Sequence, residues 1–197
     1  MGFVSLLGFA HQLVKERLHP GDRAIDATVG GGNDTLFLAE QAGRQGFVYG
    51  FDIQQEALDR TRERFARAGR SMDNLQLILD SHARMAEHIA PDDHGRIAAV
   101  MFNLGYLPGA DTSVITTAAS TIPALNAALS LLRPRGILTI VLYPGHEGGD
   151  AEAAEVEAWA SELPQAVAQV LCYKLMNKHA RAPYLLAIEK IQPNERG

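Results

Sequence analysis

Short apolar segments rich in Val, Ile and Leu alternate along this chain with longer segments whose apolar residues follow helical spacing. A strand covered by helices on both faces is typically a continuous apolar run, because neither of its faces meets water. Regular alternation of such strands with helices is the signature of the α/β class. We therefore predict an α/β fold with a mainly parallel sheet and helices on both faces.

The alternation predicts seven strands with helices between them. The predicted strands cover Arg23–Thr28, Phe47–Asp52, Leu75–Leu79, Ile97–Asn103, Gly136–Leu142, Ala166–Leu175 and Tyr184–Lys190. The predicted helices cover Asn33–Ala42, Gln54–Ala68, Ser81–Ile89, Ser113–Leu132 and Ala151–Leu163. The apolar residues within positions 1–18 also follow helical spacing, so we expect an amphipathic helix packed on the domain.

The last two predicted strands are connected differently from the others. The segment from Leu175 to Pro183 is too short for a crossover helix, so the seventh strand must return antiparallel to the sixth. Parallel strand–helix units followed by a C-terminal hairpin are typical of the class I methyltransferase fold, a Rossmann-like variant of the doubly wound sheet. The 197 residues contain no internal repeat or linker, and we expect a single domain over residues 1–197.

Composition excludes several classes of protein. The net charge of −5 excludes a general polyanion binder held by an overall positive field, so any contact with nucleic acid must be local. No apolar run is long enough for a membrane span, and the first residues lack the basic leader and cleavage site of a signal peptide. The single cysteine fits a reducing compartment, and we expect a cytoplasmic protein. The histidines show no metal-ligand spacing, so we expect no metal.

A glycine-rich turn follows the first predicted strand. The run Val29-Gly30-Gly31-Gly32 lets the backbone pass close to a ligand, and the polar residues at 33–35 can cap the next helix. Asp52 ends the second strand, where a carboxylate can accept both hydroxyls of an adenosine ribose. Together they predict a nucleoside cofactor. The structural alternatives are an ordinary strand-to-helix turn and a carboxylate that only caps the helix near Gln54.

Residues around this turn distinguish two classes of nucleoside cofactor. Thr35 occupies the position where a dinucleotide fingerprint has its third Gly or Ala. Asp26 and Asp34 would repel a pyrophosphate and attract the ammonium group of a methionine moiety. These features favour S-adenosylmethionine over a nicotinamide dinucleotide. The run Asp80-Ser81-His82 ends the third strand with a side chain that can meet the adenine, and a helix cap at its first residue is the alternative.

The loops after the fourth and fifth strands carry further reactive residue types. The run Asn103-Leu104-Gly105-Tyr106-Leu107-Pro108-Gly109 is a poor core segment and is typical of a site loop. Asn103 offers an acceptor to an amine, and Tyr106 can stack on a planar base. The run Tyr143-Pro144-Gly145-His146 ends in a histidine that can orient the substrate or take its proton, unless it is an ordinary surface histidine.

The hairpin between the last two strands is basic. Because the sixth strand is predicted parallel to the first five, this turn should emerge at the same edge of the sheet as the preceding loops. Its positive charge suits a phosphate backbone, and the alternative is a solvated turn. The residues concerned are Asn177, Lys178, His179 and Arg181.

Several of these runs resemble one family in particular. Residues 26–39 with the glycine turn, residues 49–54, and the loops after the fourth and fifth strands are similar to the MnmM family, whose older label is rRNA methylase. The likeness extends over nearly the whole chain. It implies an S-adenosylmethionine-dependent methyltransferase that converts 5-aminomethyl-2-thiouridine at the tRNA wobble position to its methylaminomethyl form. It also implies contacts with the tRNA anticodon region and a homodimer.

The motifs and the resemblance together predict three groups of site residues. The predicted catalytic residues are Asn103, Tyr106 and His146. The predicted cofactor-binding residues are Asp26, Thr28, Gly30, Gly32, Asn33, Asp34, Thr35, Asp52, Ile53, Gln54, Ser81, His82, Asn103 and Leu104. The predicted substrate-binding residues are Tyr106, Leu107, Pro108, Tyr143, His146, Asn177, Lys178, His179 and Arg181. The alternatives are a methyltransferase for rRNA or a small-molecule amine, and a cofactor-binding module without catalysis.

Overall fold

Strands and helices alternate in the computed structural model, which describes residues 2–105, 115–145 and 148–192. The strands are β1 (Arg23–Asp26), β2 (Phe47–Asp52), β3 (Leu75–Leu79), β4 (Ile97–Leu104), β5 (Leu132–Leu142), β6 (Ala168–Tyr173) and β7 (Tyr184–Lys190). The helices are α1 (Leu6–Lys15), α2 (Asn33–Ala42), α3 (Gln55–Arg67), α4 (Met85–His88), α5 (Ala118–Leu131) and α6 (Gly149–Glu162), with 3₁₀ turns at His82–Arg84 and Pro91–Asp93. Within those ranges, none of the helices has the length and apolar character needed to traverse a membrane.

The strands form one sheet in the order β3-β2-β1-β4-β5-β7-β6. Strands β1 to β5 pair in parallel, whereas β7 is antiparallel to both β5 and β6. The predicted α/β sheet with an antiparallel last strand is therefore confirmed. The strand order changes direction between β1 and β4, since β2 and β3 lie on one side of β1 and β4 and β5 lie on the other. This is the place where doubly wound sheets open a crevice for ligands.

Several predicted elements differ in extent from those observed; β5, for example, begins at Leu132 instead of Gly136. Two of these differences have a local cause in the hydrogen bonds. Strand β1 ends at Asp26 instead of Thr28, because the Thr28 backbone N–H donates to Asp26 Oδ1 at 3.1 Å and turns the chain into the glycine loop. The helix predicted over Ser81–Ile89 is a 3₁₀ turn followed by the short α4. The Ser81 hydroxyl accepts from the Ala83 backbone N–H, which caps the 3₁₀ turn at its start.

Apolar side chains cover both faces of the sheet. Adjacent residues of a strand point to opposite faces, and β4 illustrates the consequence. Phe102 packs in a cluster with Leu125 of α5, whereas Met101 packs in a cluster with Val14 of α1 and Leu38 of α2. Each such side chain contributes about 1.5–3 kcal/mol when fully buried. Because helices cover both faces, cavities form at the two edges where strands begin or end, and doubly wound sheets bind their ligands at the carboxyl edge.

The predicted amphipathic helix near the N-terminus is present as α1 and packs beside β5 and β7. After the helix, the Arg17 Nε atom donates to Glu189 Oε2 of β7 at 3.0 Å. Before it, the Val4 carbonyl accepts from the Tyr173 hydroxyl of β6 at 2.9 Å. These contacts hold α1 with its first turn at the carboxyl edge, where Leu7 lines the cavity described next.

Candidate active site

A cavity of about 570 Å³ lies at the carboxyl edge of the sheet, between β1 and β4. It opens at the point where the strand order reverses, as expected for a ligand site in this kind of sheet. Its walls come from the segments after the five parallel strands β1 to β5, from the starts of α1 and α5, and from the end of the β6–β7 hairpin. The lining includes residues 27–31, 51–54, 80–82, 103–105, 115, 116, 143, 145 and 181.

The glycine loop forms one wall, and Asp52 ties it to the end of β2. The Gly30 backbone N–H donates to Asp52 Oδ2 at 2.9 Å, and the Gln54 N–H donates to Asp52 Oδ1 at 2.9 Å. Burial raises the pKa of the Asp52 carboxyl above its usual value. Asp52 thus holds the backbone at Gln54, the residue before α3, and it also faces the cavity. The first turn of α3 itself has no side-chain cap, so the interpretation of Asp52 as a helix cap is not supported.

Asp26 lies beneath the glycine loop instead of in the cavity lining. Its side chain is fully buried, and its Oδ2 atom accepts from the Thr35 hydroxyl at 2.6 Å. Burial, followed by the nearby Asp34 carboxylate, raises the pKa of Asp26 to about 7. Gly32 ends the loop, and a Cβ there would approach Thr61 Oγ1 to 2.6 Å. Three predicted cofactor residues, Asp26, Gly32 and Thr35, are therefore outside the cavity lining, and the first and last of them support the loop from below.

Asp34 joins the first turn of α2 to the end of β4. Its Oδ2 atom accepts from Asn103 Nδ2 at 2.6 Å, and its Oδ1 atom lies 2.6 Å from His11 Nε2 of α1. Asp34 and Asn103 both line the cavity. The sequence gives no signal for His11, because helical spacing in α1 indicates only which face is buried and not which later residue it meets.

His82 presents a neutral ring nitrogen to the cavity. His82 is 8% exposed, and its Nδ1 atom lies 3.0 Å from the Ala27 carbonyl oxygen. Burial lowers the pKa of His82, which favours the neutral ring. Because a carbonyl oxygen only accepts, Nδ1 carries the hydrogen and Nε2 is an acceptor. The neighbouring Asp80 also lines the cavity, and a hydrogen bond from His88 holds the pKa of its carboxyl below the usual value.

The start of α5 contributes a wall that the sequence did not indicate. Glu152 of α6 is 3% exposed and accepts from the Thr116 hydroxyl at 2.8 Å and the Thr121 hydroxyl at 2.7 Å. This buried carboxylate holds Thr116 against the cavity, which Ser120 also lines. Threonine and serine near the start of a helix are too common to mark a site, so no sequence signal singles out Thr116 or Ser120.

The remaining predicted residues fall into three groups. The structure brings Thr28, Asn33, Ile53, Gln54, Ser81, Leu104, Tyr143 and Arg181 to the cavity lining. Asn177, Lys178 and His179 are exposed in the hairpin outside that lining, next to Arg181, which pairs with Asp150 at 2.8 Å. Tyr106, Leu107, Pro108 and His146 lie outside the described residues.

Comparison with known proteins identifies the family. Residues 48–189 match the family described as "Putative rRNA methylase". The chain is also 39% identical over 189 residues to the "tRNA (mnm(5)s(2)U34)-methyltransferase, chloroplastic" of Arabidopsis thaliana, a match that covers 92% of this chain and 68% of that protein. The chain belongs to this methylase family. The family resemblance predicted from the sequence motifs is thereby confirmed.

Solved structures support the same assignment. A "putative rRNA-methylase" from Clostridium thermocellum has a TM-score of 0.91 and 38% identity, covering 97% of this chain and 100% of that one. A "putative methyltransferase" from Streptococcus mutans in complex with SAH has a TM-score of 0.85 and 36% identity, covering 96% of this chain and 100% of that one. The methylase described here is an S-adenosylmethionine-dependent methyltransferase with the class I fold, as predicted.

The cavity of this methylase has the chemical groups that S-adenosylmethionine requires. Its volume of about 570 Å³ suits a small molecule, since ligand sites are usually about 300–1,000 Å³. Asp52 supplies a carboxylate acceptor for hydroxyls, and the backbone of Gly30 and Gly31 can approach a ligand closely. Ile53 leaves 57% of its surface exposed at the rim, where an aromatic base can cover it. The residues present therefore fit this cofactor.

Proposed function

We propose that this methylase transfers a methyl group to the exocyclic amine of 5-aminomethyl-2-thiouridine at the wobble position of tRNA. The product is the methylaminomethyl nucleoside. The observation that carries the proposal is the 39% identity, over 92% of the chain, to a relative named as a tRNA mnm(5)s(2)U34 methyltransferase. Asn103 supports it from the structure, because an amide oxygen at the cavity wall suits an amine substrate.

The cofactor-binding roles follow from the residues around the cavity. In this proposal Asp52 accepts hydrogen bonds from the ribose hydroxyls, as acidic residues at this strand end do in related nucleotide sites. Ile53 packs on the adenine, and Ser81 and His82 bind its polar edge. The backbone of the glycine loop at Gly30 holds the methionine part. When bound, S-adenosylmethionine supplies an electrophilic methyl group on a positively charged sulfur.

The residues near the reacting atoms position an uncharged amine. A free alkylamine is largely protonated at neutral pH, and a protonated nitrogen has no lone pair for attack. Asn103 Oδ1 accepts an N–H hydrogen of the neutral amine and turns its lone pair towards the methyl group. The apolar wall at Leu104 and Tyr143 lowers the local polarity, which favours the neutral amine. His146 is proposed to take the released proton, and Tyr106 to stack on the base.

The RNA is proposed to dock on the β6–β7 hairpin. Lys178 and Arg181 place local positive charge at this hairpin, where Arg181 lines the cavity and pairs with Asp150 and where His179 is exposed. The whole chain carries a net charge of −5. Phosphate contacts of this kind fix the orientation of a nucleic acid without reading its sequence. Asn177, Leu107, Pro108 and Tyr143 complete the proposed substrate surface.

Nucleoside mass spectrometry of tRNA from a strain that lacks this gene tests the proposed function. We expect 5-aminomethyl-2-thiouridine to accumulate and its methylated form to disappear. Expression of the wild-type chain should restore the methylated nucleoside, whereas Asn103→Ala should not. Unchanged tRNA together with loss of one methyl group from rRNA would overturn the proposal in favour of an rRNA substrate, the class named in the family description. Unchanged tRNA and rRNA would favour a small-molecule amine.

A further inference from the structure

We propose that His11 and Asp34 are positioning residues for Asn103, and that His11 acts on methyl transfer through this chain of contacts. The inference rests on the proposed amine substrate, since it concerns the orientation of the Asn103 amide towards an N–H donor. It assigns a function to the N-terminal helix α1, from which sequence analysis predicted only packing.

The orientation of Asn103 is determined by what Asp34 can accept. Asp34 Oδ2 lies 2.6 Å from Asn103 Nδ2. A carboxylate has acceptors and no donor, so the NH₂ group of the amide must face it. The Oδ1 atom of Asn103 is then directed away from Asp34, in a residue that lines the cavity. A rotated amide would set two acceptors against each other and lose this hydrogen bond.

Asp34 itself needs a second donor to stay in place. It is 7% exposed, and the Asp26 carboxylate lies close enough for Asp34 to raise the pKa of Asp26. Burial, followed by the Asp34 carboxylate, raises the pKa of Tyr143, which lines the same cavity. Among the residues that the structure describes, the side-chain donors that face it are Asn103 Nδ2 and His11 Nε2, each at 2.6 Å. His11 therefore provides the contact that offsets a crowded, acidic neighbourhood.

The His11 ring is held in the plane that this contact requires. It stacks on Phe37 of α2, with ring centroids 3.9 Å apart and planes 8° from parallel. Stacking restricts the rotation of the ring, so Nε2 remains directed at Asp34 Oδ1. The result is a connected path from α1 through Asp34 to Asn103, built from residues far apart in the sequence.

A simpler interpretation is that His11 only fastens α1 to α2. The chain contains a matched control for that interpretation, because Arg17 fastens the other end of the same segment to Glu189 of β7. Arg17→Ala should lower the unfolding temperature without affecting Asn103. His11→Gln keeps a nitrogen donor near the position of Nε2, whereas His11→Ala removes it.

Side-chain amide NMR tests the positioning step without any RNA. The Asn103 ¹H–¹⁵N side-chain resonances are assigned by their loss in Asn103→Ala. We expect His11→Ala to shift these resonances, and His11→Gln and Arg17→Ala to leave them near the wild-type values. Unshifted resonances in His11→Ala would overturn the inference, and so would an equal shift in Arg17→Ala.

Kinetics of methyl transfer to tRNA test the consequence. We expect His11→Ala to lower kcat about tenfold, the lower end of the effect of removing a partner that orients a metal-binding side chain. The Kd for S-adenosylmethionine should not change, and His11→Gln should recover most of the activity. His11→Ala combined with Asn103→Ala should be no slower than Asn103→Ala alone, because the two act in one path. The inference would be overturned if the reductions in kcat of the two single variants multiplied in the double variant. A wild-type enzyme that methylates no tRNA would refute the proposed function, and the NMR result would still decide the positioning step.

Discussion

Asp52 and Asp26 lie on different sides of the glycine loop, and this position decides whether each carboxylate can contact a ligand. Asp52 lines the cavity and holds the loop through the Gly30 backbone N–H. Asp26 lies under the loop, fully buried, with the Thr35 hydroxyl as its partner. One carboxylate is thus available to a ligand, and the other is part of the support.

Replacing Asp52 with Ala should weaken binding of S-adenosylmethionine. Hydrogen bonds to a charged group contribute about 1.5–3 kcal/mol, which corresponds to a rise in Kd of about 10- to 100-fold. Isothermal titration calorimetry measures this directly. Asp59→Ala, on the outer surface of α3, is the control and should bind as the wild type does. An unchanged Kd in Asp52→Ala would remove the proposed ribose contact.

The raised pKa of Asp26 predicts how stability depends on pH. The pKa is about 7 in the folded chain against an ordinary value of 3.8, so between these values the folded state binds a proton that the unfolded state has released. The contribution of Asp26 to the free energy of unfolding must therefore fall as the pH rises through this interval. Asp26→Asn removes the titrating group. The unfolding free energy of the wild type minus that of the variant should therefore decrease as the pH rises. Urea denaturation across the interval would contradict the prediction if the difference stayed constant.

At the scale of elements, the glycine loop depends on close approach to α3. Gly32 has a φ of +74°, and a Cβ there would lie 2.6 Å from Thr61 Oγ1 and 3.0 Å from the Thr61 Cα atom. Gly69 has a similar φ of +62°, but nothing lies within 4 Å of a Cβ built there. An alanine would be strained by the positive φ at both positions, but only at Gly32 would its Cβ also meet Thr61.

Gly32→Ala should therefore destabilise the protein more than Gly69→Ala. The left-handed conformation costs an alanine about 1–2 kcal/mol at either position. The clash with Thr61 adds to that cost only at Gly32, because the backbone there cannot move without displacing the loop or α3. Thermal unfolding of both variants compares the two effects, and equal losses would show that the loop accommodates the extra methyl group.

Local patterns explain which elements and site residues could be predicted. Apolar runs and helical spacing are local signals, so the strands and the carboxyl-edge loops follow from them, as Asp52 and Asn103 illustrate. The contact of His11 with Asp34 joins two helices whose relative placement depends on packing across the whole sheet. Glu152, which supports Thr116 from another helix, is unpredictable for the same reason.

At the scale of the whole molecule, the net charge of −5 would repel RNA. Binding of the proposed RNA substrate therefore requires a local basic surface. The hairpin residues Lys178 and His179 are exposed beside the cavity-lining Arg181. Lys178→Ala combined with His179→Ala should raise the KM for tRNA and reduce its dependence on salt, since fewer counterions are released on binding. The Kd for S-adenosylmethionine should not change. Arg67→Ala, on the exposed end of α3, is the matched control, and an equal effect there would exclude a specific role for the hairpin.

The predicted homodimer and the predicted cytoplasmic location are also properties of the whole molecule. The relative from Arabidopsis thaliana is named as a chloroplastic protein, so the cytoplasmic location of this methylase stays a prediction. Sedimentation of the purified chain, which has a monomer mass of 21.3 kDa, measures the oligomeric state directly.

The most direct test of the proposed reaction uses purified protein, S-adenosylmethionine with an isotopically labelled methyl group, and tRNA from the strain that lacks the gene. After digestion to nucleosides, the label should appear in 5-methylaminomethyl-2-thiouridine, and the aminomethyl precursor should decrease by the same amount. Label in a different nucleoside, or none transferred while calorimetry shows that the donor binds, would contradict the proposed function.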